Sequence, residues 1–156
     1  MKPIFQMFAG YNEWANGRIY AAAAALPDAD YRADHGAFFG SVHGTLNHLL
    51  VGDQIWMQRL SGAGEAPAQL DAILYDDLDG LRAARVEEDA RIVAFVEGLT
   101  DADLARKIKY RTISGRPISS RSYAMRCRMC STTRPITAAK FTPCSPGSPA
   151  MRRRST

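Results

Sequence analysis

Residues 38–61 read FFGSVHGTLNHLLVGDQIWMQRLS, and within them Val42, Leu46, Leu49, Asp53, Trp56 and Leu60 recur at steps of three and four. At 3.6 residues per turn this spacing lines one face of an α-helix. Ser61-Gly62-Ala63-Gly64 stops it, because glycine takes the left-handed dihedrals that close a helix without steric cost. One member of the stripe, Asp53, is an acid, and a buried charge is costly unless it is paired. The segment therefore predicts a helix over 38–61 and a polar partner for it elsewhere in the chain.

Two further segments repeat the pattern. Residues 4–26 align Ile4, Phe8, Tyr11, Ala15, Ile19, Ala22 and Leu26 on a face that ends at Pro27-Asp28. After a linker holding Pro67, the stripe Leu78, Leu81, Arg85, Glu88, Ile92, Phe95 and Leu99 predicts a helix over 76–98, again polar in its middle. Thr100-Asp-Ala-Asp103 has the form of a capping box. Lys107 to Ile113 then alternates with period two and meets Gly115, which predicts a short hairpin or extended crossing.

Three broad amphipathic helices leave a bundle open, so a fourth is required after Gly115. Only Ile118 to Ser131 is free of proline for long enough, and it has no clean apolar stripe. The composition changes at the same place. Residues 1–115 hold 11 basic and 16 acidic side chains, whereas residues 116–156 hold 9 basic, none acidic, five of the eight prolines and all three cysteines. The expected architecture is all-α: a helical domain over 1–115, then a basic, Pro-rich, poorly ordered tail over 116–156 in place of the fourth helix. The N-terminus has no uninterrupted apolar run, which argues against a signal peptide or membrane span and makes the cytoplasm the default location.

His48 is the first candidate for chemistry. Gly44 and Gly52 lie one turn before and after it, so the surface above and below the imidazole is expected to be bare backbone, as suits a ring reaching a metal or substrate. The alternative is a core histidine with a satisfied hydrogen bond. His43, five residues earlier, is turned roughly 140° away and cannot readily share a metal with His48, and His35 belongs to a solvated loop. Asp53, Arg85 and Glu88 read either as an ion pair between the second and third helices or as polar neighbours of a site. Cys127-Arg-Met-Cys130 has the spacing of redox and zinc motifs, but no second cysteine pair or suitably placed histidine follows.

Tyr11-Asn-Glu-Trp-Ala-Asn16, the Leu26-Pro27 stop, the run from Phe38 to Leu50, Asp53 to Trp56 and the run Leu70 to Asp77 together resemble the DinB family of damage-inducible, metal-dependent bacterial proteins. The resemblance covers residues 4–115. It implies an up-down-down-up four-helix bundle, a homodimer, and three histidines on a divalent metal, zinc or nickel. It also implies hydrolase or thiol-dependent transferase chemistry on an unknown small molecule, with the metal acting as Lewis acid or activating a bound water or thiol. The first ligand falls on His48; the other two would come from an H-x-x-x-H pair on the last helix. No histidine follows His48 in this chain. As written, the chain is expected to bind metal weakly or not at all.

The missing pair is compatible with a shifted reading frame. When the last base of each codon joins the first two of the next, permitted codons from Met125 to Pro146 spell Ala-Leu-Ser-His-Val-Phe-Asn-His-Gln-Thr-His-His-Arg-Gly-Gln-Val-His-Ala-Met-Leu-Thr. This string is similar to the family's final helix and contains the H-x-x-x-H. The tail thus reads as the product of a frame change near residues 116–124. Two other functions compete: nucleic-acid binding through the basic tail, for which only Tyr123 and Phe141 offer stacking aromatics, and a self-associating structural role for an incomplete bundle.

Overall fold

The computed structural model describes residues 1–111 and 117–122. Helix α1 runs Lys2–Ala24, α2 Asp28–Arg32, α3 Val42–Ser61, α4 Leu78–Gly98 and α5 Asp101–Ala105, followed by strands β1 Lys107–Arg111 and β2 Pro117–Ser122. Local chemistry sets most of these boundaries. Pro3 occupies the first turn of α1, where its missing N–H costs nothing. α3 starts at Val42, later than the periodicity suggests, because the Ser41 hydroxyl accepts from the Gly44 amide. Its end matches the glycine stop: Gly62 has φ 74° and its N–H reaches the Gln58 carbonyl. Asp77 caps α4 through the Gly80 amide, and Thr100 with Asp103 forms the expected capping box on α5. The five-residue α2 had no periodic signal of its own.

Partners along the long helices give their directions. Lys2 Nζ donates to the Glu97 carbonyl at one end of α1, Asn12 and Asn16 meet Asp89 in the middle, and Tyr20 packs with Leu81 at the other end, so α1 and α4 are antiparallel. Leu46 and Leu50 pack with Leu81, Asp53 meets Arg85, and Leu60 packs with Val96, so α3 and α4 run parallel. The order is up-down-down. A parallel neighbour requires the chain to return along the whole length of α3, which residues 62–77 do. Asn47 holds that return: its Oδ1 accepts from the Leu74 and Tyr75 amides at 2.8 and 3.1 Å, and its Nδ2 donates to the Tyr75 carbonyl.

Two apolar clusters fill the ends of the bundle, Phe5, Ala9, Leu60, Val96, Leu99 and Leu104 at one and Tyr20, Ala23, Tyr31, Leu46, Leu50 and Leu81 at the other. The buried face of α1 is not the one its apolar residues predict. Phe5, Ala9, Asn12, Asn16, Tyr20 and Ala23 are buried, whereas Ile4, Tyr11 and Leu26 are exposed. The helix is turned by about one residue, 100°, from the face of maximum hydrophobicity. Asn12 and Asn16 explain the turn, because a buried carboxylate on α4 needs their amide donors.

The predicted hairpin is present. β1 and β2 pair antiparallel, Lys107 with Ser122 and Arg111 with Pro117. β2 carries regular structure past the composition break at Arg116 and takes up the first residues of the Ile118–Ser131 stretch as strand. The rest of that stretch, the position of a fourth helix, and Cys127 with Cys130 lie outside the described residues. Among the described residues no helix is long and apolar enough to cross a membrane.

Candidate metal centre at His48

His48 sits half-buried in the first half of α3, facing the returning segment rather than α4. Its Nδ1 lies 2.7 Å from the Leu70 carbonyl oxygen. A carbonyl only accepts, so Nδ1 carries the proton, and in the neutral ring Nε2 keeps its lone pair. Phe39 stacks on the imidazole with centroids 3.7 Å apart and planes 20° from parallel. Phe39 is in place because Gly44 has no side chain: a Cβ there would collide with the Phe39 carbonyl oxygen. The expectation of bare backbone on both sides of the ring is thus corrected for the Gly44 side, which Phe39 covers. Above Gly52 the space is open. One turn further, Trp56 meets Tyr110 of β1 edge to face at 5.2 Å, and the Arg59 guanidinium lies 5.0 Å from both rings. The hairpin is attached to the same side of α3 that carries His48 and Gly52.

The other histidines are placed elsewhere. His43 is buried, with Nε2 2.9 Å from the Tyr75 carbonyl and its ring against Tyr31. It holds the return segment and does not converge with His48. His35 is exposed, with Nε2 3.0 Å from the Asp30 carbonyl.

Asp53 and Arg85 form the ion pair between α3 and α4, Nη1 to Oδ2 at 2.7 Å. Arg85 Nη2 lies 2.9 Å from Asp89 Oδ1, and Asn16 donates to both oxygens of Asp89 while Asn12 donates to one. Burial pushes the Asp89 carboxyl above its ordinary range, against the opposing pull of Arg85 and of the Asn16 hydrogen bond. Glu88, grouped with Asp53 and Arg85 from its place in the stripe, pairs instead with Arg91 on its own helix at 3.1 Å. Asp89, Asn12 and Asn16 escaped a reading based on apolar stripes, although the two asparagines one turn apart were a visible signal of a polar helix contact.

The DinB family profile matches residues 1–125. The chain is a member of the DinB family. No curated protein and no solved structure matches it. The match contains α1 to α5, the hairpin and His48, and it runs past Gly115 to Met125.

The Nδ1 of His48 is tied to a carbonyl, an arrangement that also fixes tautomer and ring angle in metal-bound histidines. Catalytic divalent sites take about three protein ligands. Among the described residues no three His, Cys, Asp or Glu side chains are grouped to supply them. The described residues therefore do not fit a divalent metal by themselves.

Proposed function

We propose that this DinB protein is a metal-site scaffold reduced to one ligand, His48, and that as written it neither holds zinc or nickel tightly nor carries out metal-dependent hydrolysis or thiol transfer. The observation that supports this is the oriented imidazole: Nδ1–H on the Leu70 carbonyl, Phe39 against one face and a lone pair left on Nε2. No histidine follows in the sequence to complete a site.

The same reading assigns the tail to a frame change. The family match ends at Met125, and the family-like string in the shifted frame starts from that residue. Two chains test both parts. The chain as written should retain far less than one equivalent of zinc or nickel after dialysis, measured by atomic emission. A chain carrying the shifted-frame segment from Met125 onward should retain about one equivalent, the usual stoichiometry of such sites, and lose it on His48→Ala. Stoichiometric metal in the first chain that depends on His48, or no metal in the second, would overturn the proposal. Genomic third bases incompatible with the histidine codons would remove the frame-change part alone.

A further inference from the structure

The return segment between α3 and α4 is fastened at both ends and at one point between them. At its start the Arg91 guanidinium donates to the Ala63 carbonyl at 2.7 Å, and Gly64, at φ 87°, leaves room for that side chain, which a Cβ would strike. At its end the Asn47 side chain accepts from the Leu74 and Tyr75 amides, and Asn47 and His43 share the Tyr75 carbonyl. Residues 64–73 lie between these fastenings. Pro67 and Ala72 are half-buried and the rest are exposed, Leu70 at 47% and Ile73 at 48%. Apolar burial therefore does little to hold the span. Among the described residues its one hydrogen bond to the rest of the chain joins the Leu70 carbonyl to His48 Nδ1. Length sets the register of that bond. From Ala63 to Leu70 the chain can reach at most about 25 Å, and α3 rises about 20 Å from His48 to Ser61, so the span has little slack.

We propose that residues 64–73 are a strap latched to α3 by His48, and that the latch decides what the imidazole offers a ligand. When the strap is latched, the Leu70 carbonyl keeps the proton on Nδ1 and Nε2 presents a lone pair to a metal ion or a hydrogen-bond donor. Phe39, stacked on the ring, hinders it from turning to another acceptor. When the strap lifts, the ring loses that acceptor and returns to the tautomer that histidine prefers in water, with the proton on Nε2. Nε2 then donates and has no lone pair for a metal. Strap order and tautomer are thus two faces of one equilibrium, and a change that biases either one biases the other. The inference extends the reading of His48 as a ligand, but it rests on neither metal retention nor the frame change, because every measurement below is made on metal-free protein.

Nuclear magnetic resonance of the full chain in EDTA, at about pH 8 where an ordinary histidine is neutral, reads both. In the wild type, long-range proton–nitrogen correlations should place the His48 proton on Nδ1, and amide order parameters of residues 65–73 should be near the rigid value of about 0.85. His48→Ala should lower them below about 0.6 and speed chymotrypsin cleavage after Leu70 by about three- to tenfold, the weight of one net hydrogen bond, with an unchanged helical circular dichroism spectrum. His48→Asn and His48→Gln separate the latch from the mere loss of a ring. The amide nitrogen of His48→Asn lies at the Nδ1 position and should keep the strap ordered, whereas that of His48→Gln lies near Nε2 and should not. In the other direction, Pro67→Gly loosens the strap and leaves the sequence of α3 intact, and it should raise the share of His48 protonated on Nε2. A wild-type His48 with its proton on Nε2, or a strap as ordered in His48→Ala as in the wild type, would overturn the inference. Equal strap order in His48→Asn and His48→Gln, or a tautomer unmoved by Pro67→Gly, would do the same.

Discussion

Removing the guanidinium of Arg85 should be the most damaging single change outside the apolar clusters. Arg85 is 2% exposed and contacts Asp53 at 2.7 Å and Asp89 at 2.9 Å, so Arg85→Met, which keeps most of the side-chain volume, removes the cation that both buried carboxylates meet. Breaking a buried pair by removing one partner costs about 3–5 kcal/mol, a large part of the 5–15 kcal/mol that holds a domain of this size. A loss of that size lowers Tm by on the order of 10–25 °C. Urea unfolding followed by far-ultraviolet circular dichroism at pH 7 measures it, and the pH dependence identifies its cause. Without Arg85, the Asp89 carboxyl, which burial already pushes above its ordinary range, loses the cation that opposes that rise. The folded variant then takes up protons first as pH falls, and its deficit against the wild type should shrink between neutral pH and the ordinary carboxylate range near 4. A loss below about 1 kcal/mol, or one that does not change with pH, would refute the view that Arg85 compensates buried charge.

Three further outcomes are expected. Asp89→Asn keeps the oxygen that accepts from Asn12 and Asn16 but removes a carboxylate whose folded pKa is raised by burial. Since that raised value makes the wild type lose stability as pH rises from the ordinary carboxylate range through the folded pKa, the variant should gain on the wild type across that window in pH-dependent urea melts. Gly44→Ala should destabilise by about 1–3 kcal/mol through collision with the Phe39 carbonyl, and should release Phe39 from His48, read as loss of the ring-current shift on the imidazole protons. The Tyr31 hydroxyl is buried with no hydrogen-bond partner among the described residues, so Tyr31→Phe should leave stability unchanged or raise it by up to about 1 kcal/mol in thermal melts.

The sequence was most informative where one physical signal acted alone. The glycine stop after Ser61, the Thr100 capping box and the apolar stripes of α3 and α4 appear where pattern and propensity place them, because caps and periodicity are local. The place of His48 on α3, between two glycines, was legible for the same reason. The face of α1 is not legible in this way, since ranking by hydrophobicity selects Ile4, Phe8 and Tyr11 while the structure buries Asn12 and Asn16.

What the sequence by itself determined is the set of helices, the acid in the middle of α3, the histidine beside it, and the absence of any later histidine to join it. Only the tertiary structure decided which groups meet. The parallel course of α3 and α4 brings Arg85 to Asp53, the antiparallel course of α1 sets two asparagine amides on Asp89, and the return segment delivers the Leu70 carbonyl to His48. Those contacts join residues 22 to 77 positions apart, a distance over which neither helical periodicity nor local propensity carries information, and the cost of burying charge settles which side of each helix turns inward.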